Sequence, residues 1–205
     1  MEHVERIGSN NLVYLEDEYT GSPYNNPIFL LGNIYKLDKV VVSNYALRYN
    51  AMTDEIEVKE TLYEEDDKIK VLVRDPEYYV KIMDEMFVFV NGNENIDQAG
   101  YFQVVHAGKN YHLYKKIIKK YYPPKKAKTS FEKDIPATFV DRSVYYLVSQ
   151  DGKFQEFESS KSKRIRLFSD KQPEIKKFVN NGNLDIKEEA DLIKVVRYYD
   201  AISTM

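Results

Sequence analysis

From residue 28 onward the chain is a succession of short apolar-aromatic runs divided by turn residues. Runs at 28–37, 39–42 and 45–49 are punctuated by Gly32-Asn33, Asp38 and Ser43-Asn44. Leu47-Arg48-Tyr49-Asn50, Ala51-Met52-Thr53-Asp54 and Glu55-Ile56-Glu57-Val58-Lys59 read as a hairpin. Its second arm alternates charged and apolar positions, the pattern of a half-buried strand. Strand-like runs continue at 69–74, 78–83 and 86–90, with Asp75-Pro76 and Asp84-Glu85 between them as turns. A further hairpin is predicted from Tyr101-Phe102-Gln103-Val104-Val105, a turn at Ala107-Gly108-Lys109-Asn110, and Tyr111-His112-Leu113-Tyr114. Residues 144–148 and 153–157 flank Asp151-Gly152, a pair suited to the positive backbone angles of a tight type I′ turn. Residues 164–168 read as one more strand.

The period changes at the C-terminal end. Ser169 or Asp170 can cap a helix with Pro173 in its first turn and Asn180-Asn181-Gly182 at its stop. Asp185 with Glu188 resembles a capping box. Ile186, Ala190, Ile193, Val196 and Val195 with Tyr199 then trace one helical face through about Ile202. The N-terminal side is different: residues 1–27 are polar, with one apolar run at Leu12-Val13-Tyr14-Leu15 and a turn-rich segment at 21–27. The expected organisation is an N-terminal extension (1–27), an antiparallel β domain (28–168) and a helical pair packed on it (169–205). The class is α+β, a mainly antiparallel curled sheet or barrel-like meander followed by two helices.

Composition sharpens this picture. The 205 residues include 18 tyrosines, 10 phenylalanines and no tryptophan, which favours strands. Cysteine is absent, so disulfides, zinc-thiolate sites and cysteine nucleophiles are excluded. A net charge of -3 gives no general affinity for polyanions, and any such affinity must be local. No apolar run is long enough for a spanning helix. The first residues carry neither the basic nor the apolar region of a signal peptide.

One segment combines charge with aromatics. Residues 111–128 hold seven lysines and no acid. Tyr114, Lys115, Lys116, Lys119, Lys120, Tyr121, Lys125 and Lys126 form the candidate ligand-binding set: lysines to track anionic groups and tyrosines as stacking faces. Structural readings compete with this. The same lysines suit the wet face of a strand edge, or of a helix burying Tyr114, Ile117, Ile118 and Tyr121. They could also be neutralised by the acids of residues 54–67. Residues 125–136 read as an irregular basic connector bracketed by prolines.

Other constellations are thinner. His106 and His112 face each other if the intervening loop runs from Ala107 to Tyr111, and point to opposite faces if it ends at Asn110. The acidic loops Glu64-Glu65-Asp66-Asp67 and Asn91-Gly92-Asn93-Glu94-Asn95-Ile96-Asp97 offer hard oxygens without the spacing of a calcium loop. No nucleophile elbow, zinc helix motif, Walker loop or dinucleotide fingerprint is present, so no catalytic residue, metal or cofactor is expected.

Four stretches occur together in order: Gly21-Ser22-Pro23-Tyr24-Asn25 followed by Phe29 and Gly32; Leu47-Arg48-Tyr49-Asn50 with Asp54-Glu55-Ile56-Glu57; Phe87-Val88-Phe89-Val90; and Ile175-Lys176-Lys177-Phe178 with Asp191-Leu192-Ile193-Lys194. This arrangement resembles an uncharacterised family of small exported proteins of the Bacteroidetes phylum. The resemblance runs from about Gly21 to Tyr199. It implies that a signal peptide once preceded the chain, with the mature protein in the periplasm or outside the cell, and it implies no activity. The expected function is a non-enzymatic envelope or secreted binding module. Its partner would be an anionic polymer or a protein with an acidic patch. The second reading is a carrier holding a hydrophobic small molecule inside the sheet.

Overall fold

The computed structural model describes residues 4–6, 19–92, 96, 99–129 and 131–203. The apolar run at 12–15 and most of the acidic 91–97 loop lie outside the described residues. In chain order the first strands are β1 (Val4–Arg6), β2 (Tyr19–Thr20), β3 (Leu30–Lys36), β4 (Lys39–Asn50) and β5 (Glu55–Lys59). Next come β6 (Lys70–Leu72), β7 (Tyr78–Ile82), β8 (Glu85–Val90), β9 (Gly100–Ala107) and β10 (Tyr111–Lys116). The last strands are β11 (Lys119–Tyr122), β12 (Ala137–Asp141), β13 (Val144–Ser149) and β14 (Phe154–Glu156). Helices α1 (Lys161–Arg166), α2 (Gln172–Asn181) and α3 (Glu189–Ile202) complete the chain.

These elements form two units, residues 1–90 with 117–143, and residues 91–116 with 144–205. In the first unit an antiparallel sheet runs β1-β6-β5-β4-β3-β7-β8. Its core comes from alternate positions, among them Ile34, Leu47, Tyr49, Ile56, Val80 and Phe87. The expected break at Ser43-Asn44 does not end a strand. Asn44 takes a φ of 58° inside β4, and its amide donates to the Asn33 side chain at 3.0 Å, so two predicted runs become one strand. The Asn50–Glu55 hairpin has the expected ends, Asn50 opposite Glu55. A separate three-stranded sheet, β11-β12-β2, packs Tyr121 and Tyr19 against Phe139, with ring centroids 5.2 and 5.6 Å apart.

In the second unit β9-β10-β13-β14 form an antiparallel sheet. One face, carrying Leu113 and Leu147, is covered by Phe168, Ile175, Val179, Val195, Val196 and Tyr199. The other carries Phe102, Tyr114, Tyr146 and Phe154, whose rings meet at 5.3–6.5 Å. The β9–β10 turn is tied to α3: the Asp200 carboxylate accepts from the amides of Lys109, Asn110 and Tyr111 at 2.8, 2.7 and 2.9 Å. Gly108 is required by that approach. A Cβ there would lie 2.2 Å from the Tyr111 carbonyl oxygen and 2.7 Å from Asp200 Oδ2.

Three local expectations are corrected. Residues 164–168 are not a strand. Ser160 caps α1 by accepting from the Lys163 amide, and the buried Arg164 guanidinium donates to the carbonyls of Glu158 and Ile186. Among the described residues the helical part therefore starts at Lys161 and has three helices. Helix α3 starts at Glu189, with no side-chain cap; Asp185 instead accepts from the Lys187 amide in a turn before the helix. Its buried stripe is Leu192, Val195, Val196 and Tyr199, while Ala190 is exposed. Finally, the β13–β14 turn is not type I′. The Gly152 amide donates to the Ser149 carbonyl and only Gly152 has positive φ, the geometry of a type I turn closed by a glycine bulge. With these changes the α+β class holds. Among the described residues the sheet is mainly antiparallel and open at its ends, and no barrel closes.

Candidate functional site

The lysine-rich stretch is strand, not helix, and it changes unit after Lys116. Tyr114, Lys115 and Lys116 lie on β10 in the second unit. Lys115 donates to Glu189 at 2.8 Å, and the Tyr145 hydroxyl donates to the same oxygen at 2.7 Å. Burial, together with that acid, pushes the Tyr145 phenol up to about 12. Burial would lower the Lys115 ammonium, but Glu189 outweighs it and raises it. Lys116 donates to the Tyr101 carbonyl and sits over the Phe102 ring. Tyr114 is half-buried in the aromatic face, which raises its phenol.

Lys119, Lys120 and Tyr121 lie on β11, the edge of the three-stranded sheet in the first unit. Lys119 donates to Asp141 at 2.9 Å. Burial would raise the Asp141 carboxyl, yet bonds from Lys119 and Ser143 hold it down at about 2. The acids that meet Lys115 and Lys119 are thus Glu189 and Asp141, not those of residues 54–67, of which Glu57, Asp66, Glu60 and Glu55 engage Arg48, Lys59, Lys70 and Arg74. Tyr121 is half-buried on Phe139.

Further along this stretch, Lys120, Lys125, Lys126, Lys128 and Lys133 have no salt bridge to an acid among the described residues. Four of them sit on the 123–136 loop. That loop is built, not slack. Lys125 and Ile135 exchange backbone bonds at 2.9 Å, Asp134 accepts from the Ala127 amide at 2.7 Å, and Glu132 accepts from the Lys128 amide at 2.9 Å. Both acids are turned onto backbone, so the lysines face outward and Phe131 stands 99% exposed between them. Tyr122 and Ile135 add partly exposed apolar surface. Sequence reasoning passed over Phe131 because one aromatic in a polar connector breaks no periodic pattern. The signal was its isolation among lysines between two proline brackets.

A buried charge cluster was also missed. Glu57 and Lys59 are 5% and 6% exposed, although their alternation with Ile56 and Val58 predicts a solvated face. Arg48, on the neighbouring strand, donates to Glu57 through Nε at 2.9 Å and Nη2 at 2.6 Å. Its guanidinium lies between the rings of Tyr24 (3.7 Å) and Phe29 (4.2 Å). Asn50 donates to the second Glu57 oxygen, and Lys59 reaches the Glu64 carbonyl and Asp66. Every charge has an internal partner, so this cluster fixes the entry segment onto the sheet.

His112 pairs opposite Ala107 and Leu113 opposite His106, which puts the two histidines on opposite faces of β9–β10. Burial and Arg197 lower His106. No group of three His, Asp or Glu side chains able to hold a metal ion converges among the described residues. An open depression of about 430 Å³ lies between α2 and α3, lined by Glu174, Lys177, Phe178, Asn181, Gly182 and Tyr198. The Phe178 and Tyr198 rings stack within it at 4.2 Å. No helix among the described residues is long and apolar enough to cross a membrane. No family model matches this chain, and no curated protein or solved structure is found similar to it.

Proposed function

We propose that the protein is a non-enzymatic binding module and that its contact surface is the 123–136 loop with the adjoining Lys120 and Tyr122. The partner is an anionic polymer or an acidic protein patch. The observation that carries this reading is the bare Phe131 ring, held among unpaired lysines by a hydrogen-bonded loop. A large apolar side chain left in water on an ordered support is the form of a contact anchor, and surrounding lysines supply attraction at longer range. The setting in the periplasm or outside the cell comes from the family resemblance alone. The carrier reading has less in its favour: the described depression lies between helices, and the faces of the β9-β10-β13-β14 sheet are filled by side chains.

The test uses a fluorescent sulfated polysaccharide as an anionic probe at low salt. The triple variant K125E/K126E/K128E weakens binding at least about tenfold and flattens its salt dependence. F131A weakens it about threefold, and both variants keep stability within about 0.5 kcal/mol because these side chains are exposed. Unchanged binding by the triple variant would refute the surface.

A further inference from the structure

The first unit carries a second loop of opposite sign. Between β5 and β6, residues 60–67 hold five acids and no base. Tyr63 is 96% exposed at this loop, next to Leu62 at 44%. Glu60 and Asp66 engage Lys70 and Lys59. Glu64 uses one oxygen on the Glu60 amide at 2.7 Å, while Glu65 and Asp67 have no ion pair among the described residues. The 120–136 segment is the counterpart in charge, with five lysines against two acids and Phe131 bare at 99%. Both rings are almost fully exposed, and no ion pair joins the two loops among the described residues.

We propose that the 123–136 loop of one copy docks onto the 60–67 loop of a second copy of this chain. Phe131 and Tyr63 form the apolar centre, and Lys125, Lys126 and Lys128 face Glu64, Glu65 and Asp67 around it. This rests on the reading of 123–136 as a contact surface and names its partner. Charge complementarity with one aromatic anchor on each side is what the two loops share. A contact between two loops falls below the roughly 1,000 Å² of a stable interface, so the association is transient. Its ionic rim is exposed and therefore screened by salt.

Sedimentation velocity on the full chain, from about 10 to about 500 µM, tests this. In about 50 mM salt the protein self-associates with concentration, and in about 500 mM salt the affinity falls at least tenfold. F131A and Y63A each weaken association about fivefold or more. The variant K125E/K126E/K128E carries two acidic loops, and E64K/E65K/D67K carries two basic ones. Each remains monomeric alone, and mixing them restores a complex. Rescue on mixing cannot arise from misfolding. A wild type that stays monomeric throughout overturns the inference, as does association that survives both reversals, or folded variants that fail to associate when mixed. Polysaccharide binding separates the two levels. If wild type is monomeric yet binds the probe through Lys125, Lys126 and Lys128, the self-docking falls and the surface stands. If charge reversal alters neither readout, both fall.

Discussion

Replacing Asp200 by alanine should detach the β9–β10 turn from α3 and lower stability by about 3 kcal/mol. Hydrogen bonds to a charged group contribute about 1.5–3 kcal/mol each. Asp200 accepts three, from Lys109, Asn110 and Tyr111. They share one partly exposed carboxylate and cannot add fully, which brings the total to about 2–4 kcal/mol. With a urea slope of about 2 kcal/mol/M, the unfolding midpoint falls by about 1.5 M with the slope unchanged. Asparagine keeps one acceptor and recovers about half of the loss. Burial would raise the Asp200 carboxyl, but the three amides outweigh it and its folded pKa is lowered. The contribution is therefore complete above the unfolded carboxylate value of about 3.9 and disappears as pH falls through the lower folded value. Wild type and D200A should differ equally at pH 6 and 8 and converge in acid. Hydrogen exchange gives the local readout, since the amides of 109–111 lose protection in D200A before the sheet does. A D200A variant within about 0.5 kcal/mol of wild type at pH 7 would refute the reasoning.

Other outcomes follow from the same contacts. Removing one partner of the buried Arg48–Glu57 pair, by R48A or E57A, should cost about 3–5 kcal/mol in urea unfolding. The double replacement R48M/E57L should restore most of it, because no charge is then buried alone. Asp141, held down at about 2, makes D141N differ from wild type above about pH 4 and converge with it as pH falls through and below about 2, read as unfolding midpoints across pH. R164A should lower stability by about 2–3 kcal/mol in urea unfolding, since it strands the carbonyls of Glu158 and Ile186 at the start of the helical segment.

What the sequence made legible was local. The hairpin after Asn50 follows from its turn residues, and helix α2 from Pro173 in its first turn and Gly182 at its stop, although its N-cap is Lys171, not Ser169 or Asp170, and no side chain caps it. Helix α1 was hidden because residues 161–166 have no helical period and 164–168 read as alternating apolar and charged. Its reason to be helical is Arg164, whose partner carbonyl at Ile186 is 22 positions away. Glu57 and Lys59 misled in the same manner: a charge predicts solvent until the neighbouring strand supplies Arg48 and the entry segment supplies Tyr24 and Phe29. Within the candidate site, composition marks the lysines as one group. It could not sort them, because Lys115 meets an acid 74 positions on and Lys119 one 22 positions on. The members left outward-facing are those whose loop has its own acids folded back onto backbone amides.

The interleaving of the two units sets an order of events on the ribosome. The Thr20 hydroxyl donates to Thr138, 118 positions later, and β2 pairs with β12 at that point. At about 5–20 residues per second, β2 emerges roughly 6–24 s before its neighbour exists. The β3–β8 strands can pair in that interval, since their partners are already made. The β9–β10 turn waits for Asp200, 89 positions after Tyr111, so the hairpin is made well before the α3 carboxylate that ties it. A nascent chain stalled before residue 200 would hold a finished first unit beside an unlatched hairpin.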